Sequence, residues 1–269
     1  MSLLTISSLT KCYPAFTLDS VSFGVDAGEI VGFIGRNGAG KTTTLKSLLG
    51  LVHPDGGSAE FFGGAGEAEI KQRVGFITGG IAHYPKAKLR TITDVTRRFY
   101  TRWDDAAYRR YLAEFSLDEN KTPSELSEGM KVKYALALAL SHNAELLILD
   151  EPTSGLDPVS RDELLDIFLQ MRDKGIGILF STHIITDLER AADRIVYIRN
   201  GKIFADEPLD AFERAYRIAE LPEMPEHPEN YIGIRRERNG FTALVKSEEN
   251  VGRPAKLEEI MLHMEREDI

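Results

Sequence analysis

Short apolar runs separated by turn residues occupy the first 65 positions of the chain. Phe16 to Phe23 alternates as a strand. Glu29-Ile30-Val31-Gly32-Phe33-Ile34 is nearly continuous in apolar character between Gly28 and Gly35, which predicts a strand buried on both faces. Thr42 to Leu49 predicts a helix that stops at Gly50. His53-Pro54-Asp55-Gly56-Gly57 reads as a turn, and Ser58 to Phe62 returns as a strand.

Between residues 80 and 142 the pattern becomes mostly helical. Thr91-Ile92-Thr93-Asp94 has the form of a capping box. Phe99, Tyr100, Trp103, Tyr108, Tyr111 and Phe115 follow, interleaved with arginines 97, 98, 102, 109 and 110. Aromatic residues three or four apart are expected to line one helix face and pack inward, with the arginines solvated outside.

Strands then alternate with helices. Glu145 to Leu149, Ile176 to Ser181 and Ile195 to Ile198 read as strands, with helices near Ser160 to Lys174 and Ile185 to Ala192. This alternation predicts a parallel sheet carrying helices on its faces. The segment Pro-Glu-Met-Pro-Glu-His-Pro at 222–228 suits neither a helix interior nor a central strand, so residues 216–230 are expected to form a linker. Beyond it, Tyr231 to Ile234 and Phe241 to Val245 predict a hairpin around Asn239-Gly240, and Leu257 to Met264 a closing helix. The expected division is a main domain over 1–215, with its helical part at 80–142, and a small extension over 231–269. No internal repeat is visible.

Composition narrows the function. The chain has 269 residues, 42% of them hydrophobic, and carries 33 Lys+Arg against 42 Asp+Glu for a net charge of −9. That balance suits a globular protein with a sizeable core and disfavours sequence-independent nucleic-acid binding. Cys12 is the only cysteine, which excludes an internal disulfide and a multi-cysteine zinc site. No signal peptide is read at the N-terminus. The longest apolar run, Tyr134 to Leu140, is far shorter than the roughly 20 residues a membrane span needs.

The first chemical motif is Gly35-Arg36-Asn37-Gly38-Ala39-Gly40-Lys41-Thr42, placed between a predicted strand and a predicted helix. Glycines let backbone N–H groups curl around phosphate oxygens, and the helix N-terminus adds partial positive charge. Lys41 reaches the β/γ-phosphates and the Thr42 hydroxyl ligates magnesium. The second motif is Leu146-Leu147-Ile148-Leu149-Asp150-Glu151, a buried strand delivering two carboxylates to the ligand-facing edge of the sheet. Adjacent strand residues point to opposite sides, so separate jobs are expected. Asp150 would hold the magnesium shell, and Glu151 would orient or deprotonate the attacking water.

Both motifs occur in several nucleotide-hydrolysing classes. Leu126-Ser127-Glu128-Gly129-Met130 before a helix, Ser154-Gly155-Leu156-Asp157 just after Glu151, and His183 at the end of Phe180-Ser181-Thr182-His183 narrow the choice. Together with the phosphate loop they resemble the ATP-binding-cassette (ABC) ATPase family, in its order, over roughly residues 3–215. The resemblance implies an α/β P-loop NTPase fold: a RecA-like parallel sheet core, an antiparallel β subdomain and a helical subdomain, with a small α+β extension added here.

It also implies roles. ATP and magnesium ion would be bound by Gly35, Asn37, Gly38, Ala39, Gly40, Lys41, Thr42 and Thr43, with Thr42 and Asp150 as metal ligands and Tyr13 stacking on adenine. Glu151, His183 and Lys41 would act in hydrolysis. Ser127 and Gly129 would reach the γ-phosphate of an ATP held mainly by a second subunit, either another copy or a paralogue, in a head-to-tail dimer crossed by Ser154 to Asp157. A separate transmembrane permease would dock on the helical region, with the groove around Tyr84 to Trp103 as the expected contact. The chain would sit on the cytoplasmic face of the membrane through that permease.

Two positions depart from the family pattern. Glu128 stands where glycine is commonest, and its charge is expected to point away from phosphate; the Leu-Ser-x-Gly-Met form is similar to type-2 exporter ATPases. So is the ending Pro254-Ala255-Lys256-Leu257-Glu258-Glu259-Ile260-Met261. Counted from Val74-Gly75, the position of the family's magnesium-coordinating glutamine falls on Gly79, with Gln72 before the strand a poor substitute. That departure implies slow hydrolysis or altered coupling. It keeps open a second reading, a nucleotide-gated regulatory dimer with little turnover. A soluble ABC ATPase acting on DNA or ribosomes fits poorly, because the stretch from Lys41 to Asp150 leaves no room for a long coiled-coil insertion.

Overall fold

The computed structural model describes residues 1–78, 84–249 and 251–265, and Gly79 lies outside them. The chain divides into two compact units, Met1–Asp206 and Glu207–Ile269.

In the first unit, β1 (Ser2–Tyr13), β2 (Phe16–Asp26) and β3 (Ile30–Ile34) precede α1 (Lys41–Leu48) and β4 (Gly56–Phe61). Next come α2 (Glu67–Arg73), β5 (Val74–Thr78), α3 (Leu89–Thr96), α4 (Asp105–Glu114) and α5 (Glu128–Ser141). The unit continues with β6 (Leu146–Asp150), α6 (Pro158–Asp173), β7 (Gly177–Thr182), α7 (Ile185–Ala191) and β8 (Arg194–Arg199). Strand β9 (Lys202–Pro208) follows. An antiparallel sheet runs β2-β1-β4, and a second sheet runs β5-β6-β7-β3-β8-β9. In that second sheet β5 pairs with β6, β6 with β7, β7 with β3 and β3 with β8, all parallel.

Why β3 reads as a continuous apolar run is now visible. All five of its residues are buried, as expected for a parallel strand covered on both faces. One hydrophobic core joins Leu4, Ile6, Leu18 and Val21 of the antiparallel sheet to Phe33, Ile148 and Leu179 of the parallel one. It extends onto Leu45 of α1, so the helix after the phosphate loop is anchored on the sheet by its own apolar residue.

The helical region is built on buried hydroxyls as well as apolar contacts. Thr93 of α3 shares hydrogen bonds with the Tyr108 hydroxyl (2.8 Å) and the Tyr134 hydroxyl (2.7 Å), and Tyr134 also donates to the Leu89 carbonyl (2.8 Å). Burial raises both phenol pKa values, that of Tyr108 to about 12. The expected capping box at Thr91 is not used. Helix α3 starts three residues earlier than that box would start it, with Lys88 at the N-cap and no side-chain cap, because Leu89 is a buried core position tied to Tyr134. Nor do the six aromatics share one helix face. Tyr108, Tyr111 and Phe115 are buried, whereas Phe99 precedes α4 and is exposed.

Several groups pin the Phe99–Trp103 turn to the last turn of α2. Gln72 donates to the Phe99 carbonyl (2.7 Å) and accepts from the Thr101 N–H (2.8 Å). His142 stacks on Tyr100 with ring centroids 3.8 Å apart and hydrogen-bonds the Gln72 carbonyl (3.1 Å). Burial is the main cause that lowers the His142 pKa from 6.5 to about 4, with Arg102 acting in the same direction and the Gln72 carbonyl opposing. Above pH 6.5 the ring is neutral in both folded and unfolded chains. Between pH 6.5 and 4 the unfolded chain takes up a proton that the folded one refuses, so stability is lost as pH falls, by about 3 kcal/mol in all. Urea unfolding at pH 7 and pH 5 is expected to show about 2 kcal/mol of this loss, and His142→Phe to lessen it. An equal loss in the variant would assign the effect to other groups.

The second unit holds α8 (Leu209–Arg214), β10 (Tyr216–Leu221), β11 (Ile232–Glu237), β12 (Gly240–Lys246), β13 (Arg253–Pro254) and α9 (Leu257–Met264). Its sheet runs β11-β12-β10-β13. The hairpin and the closing helix stand where the pattern placed them, but the linker does not. Tyr216–Leu221 pairs along its whole length with β12 and buries Ile218 and Ala219, so the connecting stretch shrinks to the residues after Leu221. The boundary accordingly falls after Asp206, earlier than 215.

Candidate functional site

The Gly35–Thr42 loop leaves the C-terminal end of β3 and enters α1, as its spacing requires. Gly40 has φ +117°, and a Cβ there would stand 2.9 Å from Leu18 and 3.0 Å from Phe16. A Cβ on Gly35 would meet the Ile198 carbonyl oxygen at 2.3 Å. These two glycines let the loop lie flat against β2 and β8, with its backbone open to one side.

That side is a cavity of about 610 Å³. Asn37, Gly38, Gly40, Lys41, Thr42 and Thr43 line one wall, and Glu151 and His183 reach it from the ends of β6 and β7. Tyr13 forms part of the rim and is partly exposed, and Lys11 lies 5.8 Å from the ring centroid. Gly35 and Ala39 do not line the cavity; Ala39 is buried and its carbonyl accepts from the Gly201 N–H.

Buried Lys41 folds its ammonium into the loop, donating to the Gly35 carbonyl at 2.6 Å and the Arg36 carbonyl at 3.3 Å. It also stands 3.6 Å from a Glu151 carboxylate oxygen. The other Glu151 oxygen accepts from His183 Nδ1 at 2.7 Å. Asp150 accepts from the Ser181 hydroxyl at 2.6 Å and from the Thr42 hydroxyl at 3.4 Å. Glu151 lines the cavity, whereas Asp150 lies behind its wall on the Thr42 and Ser181 hydroxyls. Strand β6 ends at Asp150, and Glu151 adopts φ +51°. This left-handed turn, costly for a residue with a side chain, swings its carboxylate back toward Lys41.

Ser127 and Gly129 do not line this cavity. The Ser127 hydroxyl caps α5 by accepting from the Met130 N–H (3.2 Å), and Gly129 packs where a Cβ would stand 3.3 Å from Ser160. Glu128 is drawn back along its own helix by Lys131, 2.6 Å away. Asp157 caps α6 through the N–H groups of Val159 and Ser160 (both 3.0 Å), and the Ser160 hydroxyl, foremost among its partners, holds its carboxyl below the usual range.

Three further residues line the cavity: Phe16, Arg36 and Ser154. Arg36 and Ser154 lie inside recognised motifs, whereas Phe16 carried no signal beyond its place in a strand. Ser181 was also missed as a site residue, although its hydroxyl serves Asp150 and accepts from the Glu151 N–H at 3.0 Å. Only the pairing of Asp150 with Ser181 across neighbouring parallel strands puts it there.

Residues 18–154 match the model of the ABC transporter family. The chain belongs to that family. The bacitracin transport ATP-binding protein BcrA of Bacillus licheniformis is 34% identical over 80% of this chain and 73% of its own length. The SkfA peptide export ATP-binding protein SkfE of Bacillus subtilis is 36% identical over 79% and 92%. The Nod factor export ATP-binding protein I of Burkholderia lata is 39% identical over 70% of this chain, which spans 65% of that protein. A solved ATP-binding subunit of an ABC transporter, 34% identical, superposes with a TM-score of 0.71 over 79% of this chain and 92% of that one. This ABC protein is therefore an ATP-binding, ATP-hydrolysing transporter subunit, homologous to exporter ATPases.

Proposed function

We propose that this ABC ATPase powers export through a separate transmembrane permease. It would do so by closing and reopening a head-to-tail dimer around magnesium and ATP. The observation that carries the reading is the convergence of Lys41, Asp150, Glu151 and His183 on one side of the Gly35–Thr42 loop, within hydrogen-bond or ion-pair distance of one another or of that loop.

Loop N–H groups and Lys41 would bind the phosphates, with Tyr13 against the adenine. Magnesium ion, when bound, neutralises charge on the β- and γ-phosphates. The hard oxygens of Thr42 and Asp150 suit such an ion. Glu151 would accept a proton from the attacking water, and His183 would orient that carboxylate while facing the γ-phosphate. Ser127 and Gly129 of a second subunit would complete the site from across the dimer. Similarity to proteins of SkfA peptide export and Nod factor export supports the export direction.

Among the described residues no helix is long and apolar enough to cross a membrane, so the span would be supplied by the permease. The exposed side chains of Tyr84, Val95 and Phe99 on the helical region are the surface for that contact. The chain would then sit at the cytoplasmic face of the membrane and sediment with membranes only when the permease is co-produced.

Steady-state phosphate release from ATP is expected to depend on magnesium, to vanish with a chelator and to return with excess magnesium. Background-level release with the permease present would overturn turnover-driven transport in favour of a nucleotide-gated regulatory role. Glu151→Gln with ATP is expected to elute as a dimer on gel filtration; a persistent monomer would remove the paired mechanism.

A further inference from the structure

Behind the Glu151–His183 contact lies a carboxylate that lines no part of the cavity. Asp187, in the first turn of α7, has no exposed surface. One of its oxygens accepts from the hydroxyl of Thr153, itself fully buried, at 2.5 Å. The Asp187 N–H donates to the Ile184 carbonyl (3.2 Å), in the turn where the Thr182 hydroxyl accepts from the Ile184 N–H (2.9 Å). Thr153 lies two residues after Glu151, and Thr182 immediately precedes His183.

The other oxygen, Oδ1, stands 3.8 Å from Arg161 Nε, and neither atom has a hydrogen-bond partner among the described residues. Arg161 reaches with Nη2 toward the Leu156 carbonyl (3.5 Å) in the turn that follows Glu151. Burial raises the Asp187 carboxyl above the usual range, while Thr153 and Arg161 draw it down. A buried carboxylate with one oxygen unsatisfied is expensive to keep. Here it is held between two turns, each carrying a residue of the phosphate site.

We propose that Asp187 is a positioning residue for ATP hydrolysis, tying the Thr153 turn to the Thr182 turn so that Glu151 and His183 keep their 2.7 Å contact. It touches neither the phosphate loop nor the cavity, so it acts on the geometry of the hydrolytic pair and leaves nucleotide binding to Lys41 and the loop. The inference rests on the roles proposed above for Glu151 and His183.

Two variants test it in the full-length protein. Asp187→Asn removes the charge at constant volume, and Thr153→Val removes the hydroxyl at nearly constant volume. Each is expected to lower kcat by about 10- to 100-fold with KM for ATP held within about twofold. Because the two residues act as a unit, the double variant is expected to fall no further than either single one. In a His183→Ala background, Asp187→Asn is expected to add no loss. The His183 imidazole nitrogen signal, observed by NMR of histidine-labelled protein, is expected to move in both single variants.

Additive losses, or kcat and KM changing in parallel with an unmoved imidazole signal, would overturn the proposal. So would unchanged kcat. If the wild type shows no magnesium-dependent turnover, the hydrolysis reading itself fails, and the imidazole signal still decides whether Asp187 holds His183 in place.

Discussion

Glu151→Gln is expected to reduce steady-state ATP hydrolysis by about a thousand-fold while leaving ATP affinity nearly intact. The glutamine keeps the shape of the side chain and loses its proton-accepting charge, a loss of the size general-base removal produces. Its present contacts, Lys41 Nζ at 3.6 Å and His183 Nδ1 at 2.7 Å, are both to groups of the same site. The phosphate loop itself is held by Gly35, Gly40 and α1, none of which depends on Glu151. Initial-rate kinetics beside equilibrium binding of a fluorescent ATP analogue separate the two effects. A variant that hydrolyses ATP at more than about a tenth of the wild-type rate would show that Glu151 is not the base. Lys41→Ala is expected to behave in the opposite sense, losing affinity, because its ammonium is the positive charge set within the loop.

The largest effect on stability is expected from Phe180→Ala, at about 3–5 kcal/mol. Phe180 has no exposed surface and sits in β7, opposite Gly32 of β3 and Leu149 of β6. Its ring centroid lies 5.7 Å from that of Phe168 on α6. Truncation therefore leaves a cavity between the sheet and a helix at the centre of the fold. The residues that follow it, Ser181 to His183, carry the contacts to Asp150 and Glu151, so activity is expected to fall with stability. Urea unfolding followed by Trp103 fluorescence measures the loss. Phe180→Leu, which keeps most of the volume, is expected to lose less than half as much. A cost under about 1 kcal/mol for the alanine variant would mean that α6 collapses onto the sheet and fills the space.

The elements and the phosphate loop were legible for a local reason. Burial on both faces makes β3 and β6 continuously apolar, and the backbone path around phosphate demands glycines at set spacing. The same holds for α9, whose apolar positions repeat at helical period. Local signals misled where a distant residue decided. Lys88 became the start of α3 because Leu89 is tied to Tyr134, 45 positions away in the chain, and Thr91 consequently lies inside the helix. Tyr216–Leu221 reads as part of a linker beside a proline-rich stretch, yet β12 recruits it as a full strand.

By itself the sequence determined the class of chemistry and the order of the elements. Lys41, Thr42, Asp150, Glu151 and His183 stand in motifs whose spacing follows from short-range backbone geometry. Tertiary structure alone decided how those groups face one another. The left-handed turn at Glu151, the hydroxyl of Ser181 under Asp150 and the carboxylate of Asp187 behind His183 all depend on neighbouring parallel strands and their turns. Serine, threonine and aspartate are common residues with no periodic signature, and each gains its role only when a partner some 30 positions away arrives at hydrogen-bond distance.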